Sequence, residues 1–188
     1  GNGIAVDGNG NFYISGTFSD TINFDNFQLV ALGTEEMFLV KYDHTGTVLW
    51  AKQAGGDRIY ANDIVADQAG NCYVVGSYFT FASFDNQTIN DGFGTDIFIV
   101  KYDPDGNVLW AETCGSRSGN DGFGIDVDNS GNVYICGNFQ SDFVFNNIPY
   151  PSTGNYDGFV AKYNAAGNPL WAKTGTGTSF GNESYNKI

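Results

Sequence analysis

Asp103, Asp105 and Asn107 form the part of the sequence that is best suited to metal chemistry. They lie in the segment DPDGN, which has the oxygen-rich D-x-D-G-N start of a calcium-binding loop. The later acidic ligand of an EF-hand is missing, because the strand-forming run VLW occupies the matching place. The segment also has the composition of a tight turn, in which Asp accepts backbone N–H groups and Gly supplies a positive φ. The sequence leaves both readings open, a structural turn and a calcium site, and no other cofactor is expected.

Catalytic chemistry has little support in the sequence. His44 is the single histidine, and it lies in the turn-forming segment DHTG. A Ser-His-Asp arrangement has only this histidine available, and no phosphate-binding or dinucleotide-binding glycine motif is present. Paired carboxylates for acid–base catalysis stay open as an alternative. We therefore expect a protein that is not an enzyme.

A tandem repeat must position any binding site in this chain. FLVKYDHTGTVLWAK at 38–52 returns as FIVKYDPDGNVLWAE at 98–112 and as FVAKYNAAGNPLWAK at 159–173, at intervals of 60 and 61 residues. DGNGNFYISGTF at 7–18 also returns twice. A fixed period of this kind indicates an architecture of stacked units. We place the units at about 1–60, 61–121 and 122–184 of a single segment spanning 1–188, with 185–188 beginning a further copy, and we expect the chain to be part of something longer.

Each unit has the pattern of four short antiparallel strands, with no 3.6-residue periodicity. In the second unit these strands are predicted at Asp63–Asp67, Cys72–Phe79, Ile97–Asp103 and Val108–Thr113. A longer and more variable segment between the second and third strands is predicted to form an extra hairpin on the outside of the unit. The turns share the form D-x-x-G, usually followed by Asn, and begin at Asp7, Asp43, Asp67, Asp103, Asp128 and Asn164.

One tryptophan and one lysine recur in every unit. The indoles are predicted to pack between adjacent sheets, and the alternative is a ligand-binding array. The lysines are predicted to have a structural role, with a packed stem and an ammonium group paired to a carboxylate or a carbonyl. An acidic residue precedes each lysine by five positions. The three sets are Trp50, Trp110 and Trp171; Lys41, Lys101 and Lys162; and Glu36, Asp96 and Asp157.

Tandem four-stranded antiparallel sheets that are apolar on both faces predict an all-β fold of the β-propeller type. The pattern D-x-x-G-N-x-Y-x-x-G-x-F, followed by D-x-F-x-x-K-Y-D-x-x-G-x-x-L-W-A-K, resembles the bacterial β-propeller repeats often labelled SBBP, over nearly all of residues 1–188. The resemblance implies a large secreted or cell-surface protein of a gliding or polymer-degrading bacterium, often with adhesion modules. It therefore implies an extracellular or cell-surface location.

Three blades are fewer than the roughly four to eight that close a propeller ring. The sequence leaves three arrangements open: further blades of a longer parent chain, a second copy that completes a six-bladed ring, or an open arc held by a partner. Among these, a fragment of a longer propeller is favoured.

The formal net charge of −13, from 21 acidic and 8 basic residues, argues against nucleic acid and anionic membranes as partners. No apolar stretch approaches the roughly 20 residues of a membrane span, so membrane insertion is not expected. Two functions remain: a scaffold or adhesion module that contacts proteins or surfaces, and a lectin-like, carbohydrate-binding propeller that could depend on calcium. The aromatic candidates for sugar contact do not repeat cleanly between units, which favours the scaffold; they are Tyr60, Phe93, Phe123, Tyr150 and Tyr156.

Overall fold

The computed structural model describes residues 1–115, 119–153 and 156–175, without the side chains of 91–93. The described residues form fifteen strands and include no helix with the length and apolarity needed to cross a membrane. This confirms the all-β prediction. The strands are β1 Gly3–Val6, β2 Phe12–Phe18, β3 Thr21–Phe24, β4 Phe27–Val30, β5 Glu36–Tyr42, β6 Val48–Ala66, β7 Cys72–Phe84, β8 Gln87–Tyr102, β9 Val108–Cys114, β10 Asp121–Val127, β11 Val133–Phe139, β12 Phe143–Phe145, β13 Ile148–Tyr150, β14 Asp157–Tyr163 and β15 Pro169–Gly175.

The strands form three antiparallel meanders of four strands, here called blades 1, 2 and 3. Blade 1 contains β1, β2, β5 and residues 48–54 of β6. Blade 2 contains residues 59–66 of β6, 72–79 of β7, 95–102 of β8, and β9. Blade 3 contains β10, β11, β14 and β15. The four strands predicted for the second unit are therefore confirmed, and each of them extends further in one direction. The long β6 continues from blade 1 into blade 2, which joins the two blades in one seven-stranded sheet.

Every blade carries the predicted extra hairpin between its second and third strands. The hairpins are β3–β4 in blade 1, residues 81–84 with 87–90 in blade 2, and β12–β13 in blade 3. A repeated phenylalanine packs the hairpin against the third strand of its blade. The ring centroid of Phe24 lies 5.1 Å from that of Phe38, and the ring centroid of Phe84 lies 5.2 Å from that of Phe98. Because the strands form a meander, the hairpins lie at one end of the blades and the Asp-containing turns at the other. We call these the hairpin end and the turn end.

The six turns share one hydrogen-bond pattern. Asp103 Oδ1 accepts hydrogen bonds from the backbone N–H groups of Asp105 at 2.9 Å and Asn107 at 2.8 Å. Asn164 accepts the same two bonds in blade 3, both at 3.0 Å. The glycine in each turn has a φ between 77° and 90°, a backbone conformation that residues with a Cβ rarely adopt. The D-x-x-G motif is therefore a local folding device, as its composition predicts.

The turn carboxylates should make the stability of the fold sensitive to acid. Donation from the Asn132 side chain, together with backbone N–H donors, lowers the pKa of Asp128 to about 2. A group whose pKa is depressed on folding stabilises the protein above its unfolded pKa of about 4, and this contribution is lost as the pH falls toward the folded pKa. We therefore expect urea unfolding midpoints to fall between about pH 5 and about pH 2.5.

The substitution Asp128→Asn isolates this effect, because Asn164 already supports the same turn with an amide. The variant should keep the fold and show a smaller drop in midpoint over the same pH interval. An unchanged drop in the variant would mean that the Asp128 carboxylate does not contribute to the acid sensitivity.

The hydrophobic core lies between the blades. One cluster joins blades 1 and 2 and includes Tyr13, Leu39, Val74 and Tyr102. A second joins blades 2 and 3 and includes Tyr73, Ile99, Ile135 and Phe159. Blade 2 is thus apolar on both faces because blades 1 and 3 bury one face each.

Candidate functional site

The repeated tryptophans link each blade to the next one at the turn end. Trp50 Nε1 donates a hydrogen bond to the carbonyl of Pro104 at 3.0 Å, and Trp110 Nε1 donates to that of Ala165 at 3.2 Å. The predicted packing between sheets is therefore confirmed for these two indoles. Because their N–H groups are bonded to the next blade, they do not form the alternative, a ligand-binding array. For Trp171 the packing stays a prediction: within the described residues no blade follows blade 3, and the side chain is 40% exposed there.

The turn glycines let the indoles approach the neighbouring backbone. A Cβ added to Gly167 would lie 2.9 Å from the Trp110 ring, whereas a Cβ on Gly46 would meet nothing within 4 Å. The two glycines have similar φ values, 85° and 90°. Both alanine variants should therefore carry the same backbone strain of about 1–2 kcal/mol.

This matched pair gives a second prediction. Gly167→Ala should reduce the free energy of unfolding by about 1–3 kcal/mol more than Gly46→Ala, because only the former forces the indole to move. Urea unfolding of the two variants under the same conditions measures the difference. Equal losses would show that the contact between Trp110 and the turn is not tight.

The repeated lysine has the structural role that the sequence predicts. Lys41 Nζ donates to the carbonyl of Pro104 at 2.9 Å and lies 4.0 Å from Asp7 Oδ2. The acidic residue five positions earlier does something else: Glu36 accepts backbone N–H bonds from Leu32 at 3.0 Å and Gly33 at 2.9 Å. It thereby fastens the segment that returns from the hairpin to the third strand.

Asparagine side chains join the first strands of neighbouring blades by hydrogen bonds that the sequence did not predict. Asn2 Nδ2 donates to Ala61 O, and Asn62 Nδ2 donates to Gly122 O, both at 2.8 Å. Neighbouring first strands are thus bonded directly, whereas cavities separate the outer parts of the blades. The first strands therefore form the inner side of the arc. The recurrence of Asn at an interval of 60 was the available signal.

The outer parts of adjacent blades enclose two cavities at equivalent positions of the repeat, which we call outer groove 1–2 and outer groove 2–3. Groove 1–2 has a volume of about 510 Å³ and is lined by Leu32, Gln53, Phe81 and Asp85 among others. Groove 2–3 has a volume of about 250 Å³, and Thr113 and Asn146 take the places of Gln53 and Asp85. Both grooves lie between the fourth strand of one blade and the hairpin of the next.

The two grooves differ in their chemistry although the framework around them is the same. At groove 1–2 the Lys52 ammonium lies 3.8 Å from the Asp85 carboxylate. The equivalent positions at groove 2–3 are Glu112 and Asn146, and burial raises the pKa of Glu112. One framework therefore presents a charged pair in one groove and an acid–amide pair in the other.

The predicted sugar-contact residues belong to several elements at the hairpin end. Tyr60 donates a hydrogen bond to Glu35, which raises the pKa of the phenol. Tyr150 packs on the core between blades 2 and 3, with its ring 6.1 Å from that of Phe143. Phe123 in β10 and Tyr156 before β14 are half-buried. Phe93 belongs to β8, and its side chain lies outside those that the structure describes. None of the residues with described side chains lines either outer groove.

The predicted calcium ligands lie in a turn at the opposite end. Both carboxylate oxygens of Asp103 accept hydrogen bonds from within the turn, and Asn107 Nδ2 donates to Oδ2 at 2.8 Å. Within the described ranges, no group of three or more His, Cys, Asp or Glu side chains is placed to hold a metal ion. The calcium site stays a prediction, and it would require Asp103 to exchange its own turn donors for the cation.

Three four-stranded meanders that pack face to face and share their turns, hairpins and indole links define a propeller-type repeat protein. Comparison with known proteins agrees: residues 49–77 match the family model for the SBBP β-propeller repeat. The chain is also 29% identical, over 85% of its length, to an uncharacterized WD repeat-containing protein of Acanthamoeba polyphaga mimivirus. It spans 13% of the length of that relative. These matches confirm the predicted propeller-type repeat.

Proposed function

We propose that this chain is a non-catalytic scaffold that binds protein partners at its hairpin end, on the outside of a cell. Propeller repeats generally serve as protein-interaction scaffolds, which supports the first half of the proposal. The extracellular location rests on the resemblance to repeats of secreted and surface proteins. The position of the binding surface rests on the side chains of the hairpins.

Exposed apolar side chains on the hairpins carry the proposal. Leu32 is 89% exposed and Phe81 is 41% exposed, and both line outer groove 1–2. Val30 and Ile148, on the hairpins of blades 1 and 3, are 46% and 53% exposed. Apolar groups beside a groove, with polar groups around them, are typical of protein interaction sites. The partner is expected to present an apolar side chain to the groove, beside the Lys52–Asp85 ion pair.

Affinity isolation from a cell-surface protein fraction tests this proposal. The wild-type chain is compared with the double variant Leu32→Asp/Phe81→Asp and with the control Leu109→Asp, whose side chain is 48% exposed and lies outside both grooves. At least one protein should be retained by the wild type and the control and be lost from the double variant. Calorimetry with that purified protein should then show at least tenfold weaker binding to the double variant. Equal retention by all three chains would contradict a partner site at groove 1–2.

A carbohydrate ligand is the second candidate, because the outer grooves recur at equivalent positions of the repeat. Sugar-binding propellers usually have one site per blade, and two grooves at matching positions have that form. A glycan screen with and without calcium distinguishes the candidates. Sugar binding with two sites per chain that Phe81→Ala reduces to one would favour the lectin function. The variant Asp103→Asn tests the calcium site, since loss of calcium-dependent binding would assign the cation to that turn.

A further inference from the structure

Two departures from the repeat line the same cavity, outer groove 2–3. Two positions after the repeated tryptophan, blades 1 and 3 have Lys52 and Lys173, whereas blade 2 has Glu112. The first residue of the hairpin turn is Asp85 in blade 2 and Asn146 in blade 3. Glu112 and Asn146 both line groove 2–3, so the lysine and the aspartate that pair in groove 1–2 are both replaced there.

The half-buried Glu112 carboxylate has no partner within the described part of the chain. It belongs to no ion pair and accepts no hydrogen bond there, whereas Lys52 at the equivalent position lies 3.8 Å from Asp85. Burial alone raises the pKa of Glu112, because the groove removes water from the carboxylate without supplying a compensating group. A ligand that brings a positive charge would stabilise this anion.

A second polar group in groove 2–3 also lacks a strong partner. Tyr163 lines the groove and is 1% exposed, and no nitrogen or oxygen atom of the described residues is bonded to its hydroxyl. Burial raises the pKa of Tyr163, and the neighbouring Cys114 thiol and Glu112 carboxylate contribute to the rise. A thiol is only a weak hydrogen-bond partner, so the phenol oxygen keeps lone pairs that can accept from a ligand.

The walls of groove 2–3 suit an alkyl chain. Val144, Phe145 and Pro169 line it beside the polar groups, and the ring centroid of Phe145 lies 5.2 Å from that of Tyr163 in an edge-on contact. The volume of about 250 Å³ leaves room for a short alkyl chain with one charged end. The Asn146 side chain adds an amide oxygen that can accept a hydrogen bond.

We propose that outer groove 2–3 binds a primary alkylammonium group, which takes the place that the Lys52 ammonium has in groove 1–2. Glu112, Tyr163 and Asn146 offer three oxygen acceptors, and an alkylammonium has three N–H donors. One carboxylate matches a single positive charge, whereas a calcium ion takes roughly six to eight oxygen ligands. The net charge of −13 also attracts cations to the protein. The site is separate from groove 1–2, so it does not depend on the protein partner proposed there.

NMR titration of the isotope-labelled chain with n-butylammonium chloride tests this site. The backbone N–H signals of Gly115 and Asn146, which line the groove, should shift in a saturable way. The dissociation constant should lie in about the millimolar range, because the ligand is very small. Sodium chloride and n-butanol, which match the salt and the alkyl chain, should not reproduce these shifts. A wild-type chain that shows no saturable shift, or that responds equally to n-butanol, would overturn the proposal.

The substitution Glu112→Gln removes the negative charge and keeps the shape of the side chain. It should weaken the binding of n-butylammonium about tenfold or more, because a charged hydrogen bond is lost. Asp126→Asn is the matched control, since it also removes one negative charge and its exposed side chain lies outside the groove. The control should bind as the wild type does. Equal affinity of wild type and Glu112→Gln, with both chains folded by circular dichroism, would overturn the site.

The double variant Glu112→Lys/Asn146→Asp tests the comparison between the two grooves. It gives groove 2–3 the pair of side chains that groove 1–2 already has, so the chain's own ammonium should occupy the site. Binding of n-butylammonium should then be lost. A folded double variant that still binds n-butylammonium would overturn the proposal.

The source of the ammonium group is identified with two further probes. Lysine that is acetylated at its α-amine and amidated at its carboxyl group carries the side chain as it occurs in a protein. Tighter binding of this probe than of n-butylammonium would assign the groove to a lysine side chain of a protein, and equal binding would assign it to free aliphatic amines. Binding of the same probe after acetylation of its ε-amine would overturn the requirement for an ammonium group.

Discussion

Replacing Trp110 by alanine should lower the free energy of unfolding by about 3–5 kcal/mol. The indole is 9% exposed, belongs to the cluster between blades 2 and 3, and donates a hydrogen bond to Ala165 across that interface. Its removal leaves a cavity and an unpaired carbonyl between blades 2 and 3, whose described strands belong to two separate sheets. Urea unfolding, followed by circular dichroism, measures the loss.

Trp171→Ala is the matched control for this experiment. The residue has the same position in the repeat, but its side chain is 40% exposed. Its removal should lower the free energy of unfolding by about 1 kcal/mol. Equal losses for the two variants would mean that the position in the strand, and not the contact between blades, determines the cost.

Replacing Gly76 by alanine should lower the free energy of unfolding by about 3 kcal/mol, at the upper end of the range for an overfilled interior. The added Cβ would lie 1.9 Å from the backbone oxygen of Tyr60 and 2.8 Å from the ring of Phe98. Gly76 faces the point where the first strand of blade 2 shifts register, between Ala61 and Asp63. A β-bulge brings one backbone close to another there, and no side-chain rotation relieves a collision with a backbone oxygen.

Gly55→Ala is the control for this prediction. Gly55 also lies in a strand, and a Cβ there would meet only Glu36 Oε1, at 4.0 Å. This variant should be within about 0.5 kcal/mol of the wild type in its free energy of unfolding, as is usual for substitutions without a specific clash. The prediction for Gly76 fails if both variants unfold at the same urea concentration.

The blades could be predicted from the sequence because the turns that separate their strands are determined by local sequence. The D-x-x-G turn is determined by hydrogen bonds within five residues, so six copies of it mark six strand junctions without any knowledge of the tertiary structure. The hairpin could be predicted in the same way, from the length of the segment and the repeated Phe24. Both the turn and the hairpin are determined by residues within their own segments.

For the contacts between blades, the sequence could predict which kinds of side chain take part but not which residues they contact. The burial of a repeated tryptophan follows from its type, but its acceptor, Pro104, is 54 residues away in the chain. The three indoles also have the same sequence context although Trp171 has a different environment, because exposure depends on which blade follows. The role of Gly76 was missed because it requires the register shift at Asn62, which no local pattern reveals.

The candidate site was less accessible to prediction. The aromatic residues at the hairpin end were chosen by residue type alone, and the sequence did not show that Tyr150 packs on the core between blades 2 and 3. Outer groove 1–2 is formed by Gln53 of blade 1 and Phe81 of blade 2, which only the stacking of the blades brings together. The exposed Leu32 and Phe81 lie in hairpins whose sequences vary between units, where the repeat gives no guidance.

Hydrogen exchange at the three indole N–H groups, followed by NMR, tests most directly whether each blade is linked to the next through its tryptophan. The indole N–H groups of Trp50 and Trp110 should exchange slowly, because they are bonded to carbonyls of the following blade, and that of Trp171 should exchange fast. Fast exchange at Trp110 in the folded protein would contradict the link between blades on which the whole architecture depends.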